Sequence, residues 1–254
     1  MPTSRSRVYR WAGWTDDELL GLRLADLGVS LRGTWVERCV ERLHAELARR
    51  GIRFRPHVWL SEEWFSPTGI PGFAIPFYLA HPRLMRLERH QMGTAEGGTI
   101  TECMAIMRHE TGHALQSAYR LHARAAWRRT FGATSTPYPD RYRPDRRSRD
   151  FVRHLPHWYA QSHPDEDFAE TFAVWLRPRS PWRRRYARWP AARAKLEYVD
   201  ALMREIGPMR PLVTSRAHYL PLARIRRTLG AHYAARRRHY GEPLAGEPRG
   251  WIAL

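Results

Sequence analysis

The chain has little cysteine, almost no lysine and no long apolar run, and each shortage excludes something. Two cysteines in 254 residues, Cys39 and Cys103, cannot form the disulfide framework of a small secreted domain. No stretch approaches the roughly 18 apolar residues of a membrane span. The longest apolar region, 70–80, is interrupted by Pro71 and Pro76. The first residues pass through Trp11 and Trp14 into Asp16, Asp17 and Glu18 without the apolar core of a secretory signal. A cytoplasmic, reducing setting without membrane partners is therefore expected.

Lys195 is the only lysine among 43 basic residues, so the formal net charge of +18 rests on arginine. The excess lies in three segments: 120–150, 177–188 and 224–238. Such charge can attract nucleic acid, an anionic surface or an acidic protein, but ordinary solvated helix faces and arginine-rich codon usage are the favoured reading.

Hydrophobic residues make up 43% of the chain and charged residues 27%, which suits a folded domain with a substantial core. Thr15 and Glu18 have capping-box spacing and open a first helix whose apolar face carries Leu19, Leu22 and Leu27. Val36, Val40, Leu43 and Leu47 predict a helix over 34–50, stopped by Gly51. Residues 52–60 read as a strand, and 73–80 as an edge strand because Pro76 cannot donate to a ladder. Residues 81–89 suit a short helix. Thr99 and Glu102 open a longer one expected to reach about His122. The proline-rich stretch 132–150 reads as a long surface excursion, a kind of loop that is often functional. Pro164 opens a helix to about Arg177, Pro181 another to about Ile206, and a last helix spans 216–240 before a tail at 241–254. No internal repeat and no clean linker divides the chain, so one domain over 1–254 is expected, with its core at about 15–206.

The chemistry is concentrated in the 99–122 helix. His109-Glu110-Thr111-Gly112-His113 places two imidazoles at i and i+4 on one helical face, where both can reach one cation. Glu110, one residue round the helix, can reach a water on that cation. The metal implied is zinc. Gly112 costs about 1 kcal/mol in a helix relative to alanine, so a packing reason for it is expected. A third ligand must come from elsewhere, because Gln116 and Tyr119 stand where an extended HExxHxxGxxH motif needs glycine and histidine. Glu166 and Glu170 share one face of the 164–177 helix. Glu166 lies in its first turn, where the positive helix end favours an ionised carboxylate, and is the expected ligand. Glu170 is then expected to orient a ligand histidine from behind, and is the alternative ligand. His154, His157 and His163 flank this motif and are expected in surface or hydrogen-bonding roles. Cys103 is expected to be a small buried side chain.

The HExxH motif, the stretch from Trp158 to Ala173 and the stretch from Ile75 to Pro82 together resemble a bacterial family of zinc-binding metallopeptidases. The likeness spans about 50–235. It implies an α+β, zincin-like fold: mostly helical, with a small mixed sheet beside the HExxH helix and further C-terminal helices. A more distant likeness is to the catalytic domain of anthrax lethal factor. There HExxH is followed by a Glu-x-x-x-Glu helix whose first glutamate ligates the metal, with a catalytic tyrosine seven residues earlier. That likeness implies ligation by Glu166 and a catalytic role for Tyr159.

The expected function is zinc-dependent hydrolysis of a peptide or protein substrate, with Glu110 as general base and Tyr159 donating to the oxyanion. The 73–80 edge is a candidate strand for substrate docking. Two alternatives stand beside this. One is an arginine-steered zinc protease acting near nucleic acid. The other is a zinc-stabilised binding module, which would need a closed four-ligand site.

Overall fold

The computed structural model describes residues 9–139 and 142–240. The expected tail at 241–254 lies outside the described residues. In chain order the regular elements are α1 (Asp16–Leu20), α2 (Trp35–Arg49), β1 (His57–Ser61), β2 (Gly72–Pro76), α3 (Pro82–Met92), α4 (Ile100–Tyr119), α5 (Ala125–Phe131), α6 (Pro164–Leu176), α7 (Trp182–Arg185), α8 (Pro190–Ile206) and α9 (Leu229–Tyr240). Short 3-10 turns join several of them. The architecture is α+β, mostly helical with a small sheet.

Capping sets the helix starts. Thr15, Thr34 and Thr99 each accept the backbone N–H three residues on, and at Thr15 the Glu18 side chain returns the bond. His81 and His163 do the same work with imidazole nitrogens, each followed by proline in the first helical turn. Left-handed Gly51 and Gly93 follow α2 and α3. Arg120 takes the same left-handed position after α4, although it is not glycine, and ends that helix at Tyr119.

Helix α4 is the axis of the fold. It packs on α2 and β2 on one side and on α6 on the other, and α6 in turn packs on α8 and α5. Buried Arg108 forks onto Glu46 of α2, with Nε–Oε2 at 2.7 Å and Nη2–Oε1 at 2.9 Å. The α4–α6 contact is closer than side chains normally permit. A Cβ placed on Gly112 would lie 2.7 Å from Cα of Ala169. The two backbones therefore touch at the HExxH motif itself, which is the packing reason for Gly112.

Several expected boundaries differ. The first helix ends at Leu20, and Leu24–Leu27 is a separate 3-10 turn. The first strand begins at His57; buried Ile52, Phe54 and Pro56 precede it outside any ladder. The sheet is a parallel pair, β1 on β2 with Val58 opposite Phe73, and among the described residues antiparallel pairing is confined to single bridges at Phe65–Ala74 and Arg23–Thr228. β2 is buried at all five residues, and its other side is engaged where Ala74 donates to the Phe65 carbonyl at 2.8 Å. The 73–80 stretch is thus not an open docking edge, and 77–80 is a 3-10 turn. Pro190 splits the expected 181–206 helix into α7 and α8, because Trp189 before it leaves the helical region, at φ −125° and ψ 77°. The last helix is confined to 229–240, since Leu222–Arg224 is a 3-10 turn and Thr228 is taken up in a bridge to Arg23. Helix α5 was not anticipated from the sequence. Its Trp127 and Phe131 pack on Phe168 of α6.

The buried apolar cluster runs from Trp11 to Tyr233, and α9 closes it by packing on α1 and α3. Among the described residues no helix is long and apolar enough to cross a membrane. Cys39 and Cys103 are both free and buried, Cys103 as expected.

Replacing Gly112 by alanine must push α4 and α6 apart. Equilibrium urea unfolding is expected to show a loss of about 1–3 kcal/mol, the usual cost of overpacking. Gly13→Ala, where the new methyl meets nothing within 4 Å, is expected to change stability by less than about 0.5 kcal/mol.

Candidate metal centre

The α4–α6 contact brings the motif histidines against the first turn of α6. His109 Nε2 lies 3.0 Å from Glu166 Oε2, His113 Nε2 lies 3.2 Å from the same oxygen, and the two imidazole nitrogens are 3.1 Å apart. Two rings from one helix and one carboxylate from its neighbour therefore aim three donor atoms at one point. Among the described residues this is the group that can hold a metal ion. His109 and Glu166 are buried, while His113 keeps 16% of its side chain exposed and opens the centre to solvent.

The donor chemistry suits zinc. His109 Nδ1 donates to Glu170 Oε1 at 3.0 Å, which leaves its Nε2 lone pair directed at the centre. Tetrahedral zinc with nitrogen and oxygen ligands at about 2.0–2.1 Å sets neighbouring donors roughly 3.3 Å apart. The observed separations fall a few tenths of an ångström short of that. Three convergent lone pairs repel one another unless a cation lies between them.

Protons can serve as that cation, and the direction of each pKa shift agrees with this. Burial alone would lower the His109 pKa, but hydrogen bonds and charges from Glu166 and Glu170 overcome it and hold the group up to about 10. His113 is likewise raised, burial being outweighed by Glu166. Burial would raise Glu166, yet the two imidazoles bring it well below the ordinary carboxylate range.

Glu170 sits with both oxygens engaged. Oε1 accepts from His109, and Oε2 accepts the Leu155 backbone N–H at 2.8 Å. One buried carboxylate thus fixes a ligand ring and anchors the chain that leads to Tyr159. Farther out, Gln116 donates to Asp165 Oδ1 at 2.9 Å, a second polar tie between α4 and the start of α6. Glu110 stands apart from this network. Its side chain is buried, Oε2 has no hydrogen-bond partner, and burial raises its pKa. A buried carboxylate oxygen without a partner costs free energy unless something that enters the site uses it.

Tyr159 is buried beside the centre, its ring 5.6 Å from that of His109 and in a small apolar cluster with Ile106 and Leu155. The turn that presents it is strained: His157 and Trp158, neither of them glycine, are both left-handed, at φ 63° and 56°. Two guanidiniums, Arg146 and Arg153, each stand 5.3 Å from the Trp158 ring, and the His157 carbonyl accepts from Tyr142 Oη at 2.9 Å. Of the flanking histidines, His154 donates from Nε2 to the Ala105 carbonyl of α4 at 2.9 Å, His157 is exposed and His163 caps α6.

One residue at the centre was missed in the sequence. Tyr138, from the 132–150 excursion, donates to Glu166 Oε1 at 2.9 Å. Its one sequence signal was the length of a loop without regular structure beside the motif helices.

Zinc bound at this group would displace any protons its donor atoms hold. Apparent zinc affinity is therefore expected to rise with pH across the neutral range, by about tenfold per pH unit for each proton released. Competition with a chromophoric chelator at several pH values measures this. Glu170→Ala is expected to weaken zinc about 10–100-fold in the same assay.

No curated protein and no solved structure matches the chain, so the likeness to the lethal factor catalytic domain is not shown. Residues 87–181, which carry both histidines, Glu110, Tyr159, Glu166 and Glu170, match the model of the family described as "Putative zinc-binding metallo-peptidase".

Proposed function

We propose that the chain is a zinc-dependent metallopeptidase in which His109, His113 and Glu166 hold the metal and Glu110 is the general base. The observation that carries this reading is the convergence of three donor atoms beside a buried carboxylate oxygen with no partner. Two imidazoles and one carboxylate from the chain make a three-ligand set, which is the stoichiometry of catalytic rather than structural zinc sites. A closed binding module would need a fourth ligand, and among the described residues the group contains three.

Zinc bound there supplies a Lewis acid and an acidified water. The chain's own residues do the rest. Glu110, buried and with its pKa raised, accepts a proton at Oε2 and passes it to the departing amine. Tyr159 donates from Oη to the oxyanion of the tetrahedral intermediate. Burial, reinforced by the charge of Glu166, keeps that hydroxyl protonated and so able to donate. Glu170 keeps His109 in one tautomer and one orientation throughout. The substrate is a peptide or protein. The exposed arginines at 177–188 offer an electrostatic surface for an acidic partner or a nucleic acid, separate from the chemistry.

A proteome-derived peptide mixture incubated with wild type and with Glu110→Gln tests the assignment. The variant is expected to bind zinc at one per chain yet cleave 10²-fold to 10⁴-fold more slowly, about the usual worth of a general base. Undiminished cleavage would remove Glu110 from its role. Tyr159→Phe is expected to lower kcat about 10²–10³-fold with little change in KM, as loss of one oxyanion donor does.

A further inference from the structure

The two oxygens of Glu166 have different partners. Oε2 faces both imidazoles, at 3.0 and 3.2 Å. Oε1 accepts from the Tyr138 hydroxyl at 2.9 Å. Rotation of the carboxylate toward the centre, so that both oxygens could face it, requires that hydroxyl bond to break.

Tyr138 is itself held. Its ring stacks on His163, with centroids 3.8 Å apart and planes within 10°. The His163 side chain is wholly buried, and both its nitrogens are committed. Nδ1 accepts the Asp165 backbone N–H at 3.1 Å as the cap of α6, and Nε2 donates to the Thr136 carbonyl at 2.7 Å. One imidazole therefore ties the excursion that carries Tyr138 to the helix that carries Glu166. The excursion also leaves α5 in contact with that helix. At Gly132, with φ of 113°, a Cβ would lie 3.1 Å from Cγ of Pro164. From Gly132 to Tyr138 the chain follows the first turn of α6, and only the last of these residues reaches the carboxylate.

We infer that Tyr138 is a positioning residue of the metal centre: its hydroxyl keeps Glu166 a single-oxygen ligand, and the His163 stack keeps the hydroxyl in place. The inference rests on the zinc reading above and adds a component drawn from outside the two helical motifs. The physical reason is directional. A carboxylate beside a divalent cation gains by turning both oxygens inward, which would use coordination space that a water and a substrate need. A neutral hydroxyl donor on the outer oxygen opposes that rotation without adding a competing charge.

Tyr138→Phe tests this cleanly, since the ring and its stack remain and only the hydroxyl is lost. Zinc affinity by chelator competition and the visible spectrum of the cobalt-substituted protein are the readouts, with the melting temperature of the metal-free protein as a control. The variant is expected to show a changed cobalt d–d band as the second oxygen of Glu166 turns inward, and a zinc affinity that differs from wild type by about 10-fold, while melting like wild type without metal. Zinc affinity within about twofold of wild type together with an identical cobalt spectrum would overturn the inference. A wild-type protein that takes up neither metal would instead overturn the zinc reading on which it depends.

Discussion

The centre depends on one contact, the touching of α4 and α6 at Gly112 and Ala169. An imidazole reaches only so far from its helix, and a glutamate in the first turn of another helix reaches little farther. Three donor atoms can meet within 3.0–3.2 Å because the two backbones come close enough that no Cβ fits between them. A methyl group at position 112 would move α6 as a rigid body and carry Glu166 and Glu170 with it. A single hydrogen atom in place of a side chain therefore governs both helix packing and ligand geometry.

Around that contact the polar groups fall into an ordered sequence of dependence. Glu170 fixes His109 from behind and also holds the Leu155 backbone. Leu155 precedes the strained turn at His157 and Trp158, and that turn delivers Tyr159 to the centre. The same buried carboxylate thus links a candidate metal ligand to the candidate oxyanion donor. Left-handed backbone at two successive side-chain-bearing residues is costly, and persists where surrounding contacts over-determine it. Here two guanidiniums on Trp158 and a tyrosine bond to His157 do so. On the other side, His163 both caps α6 and seats Tyr138.

The arginine excess separates into different physical roles once folded. At 177–188 every arginine is exposed, and of these Arg183 pairs with Asp200 at 2.9 Å. At 224–238 the charge is partly consumed inside the protein: Arg227 pairs with Glu62, and Arg236 lies 2.7 Å from Glu63 and 2.6 Å from Glu88. Segments that look alike as strings of charge therefore differ in what they offer a partner. The remaining basic surface still raises the local potential for anions.

The HExxH spacing, the capping threonines and the early-turn glutamate are local properties, and the sequence alone determined them. Helical periodicity fixes which side chains share a face, and a cap needs only the next three residues. Gly112 announced by its cost that something had to pack there, though not what. Only tertiary structure decided the rest. It placed Tyr138 on Glu166, because the excursion is positioned by Gly132 against Pro164 and by a ring stack, contacts with no sequence period. It denied β2 a free edge, because Phe65 returns to pair with Ala74. Side chains distant in the chain are brought within hydrogen-bonding reach by packing, and packing is not written in any window short enough to read.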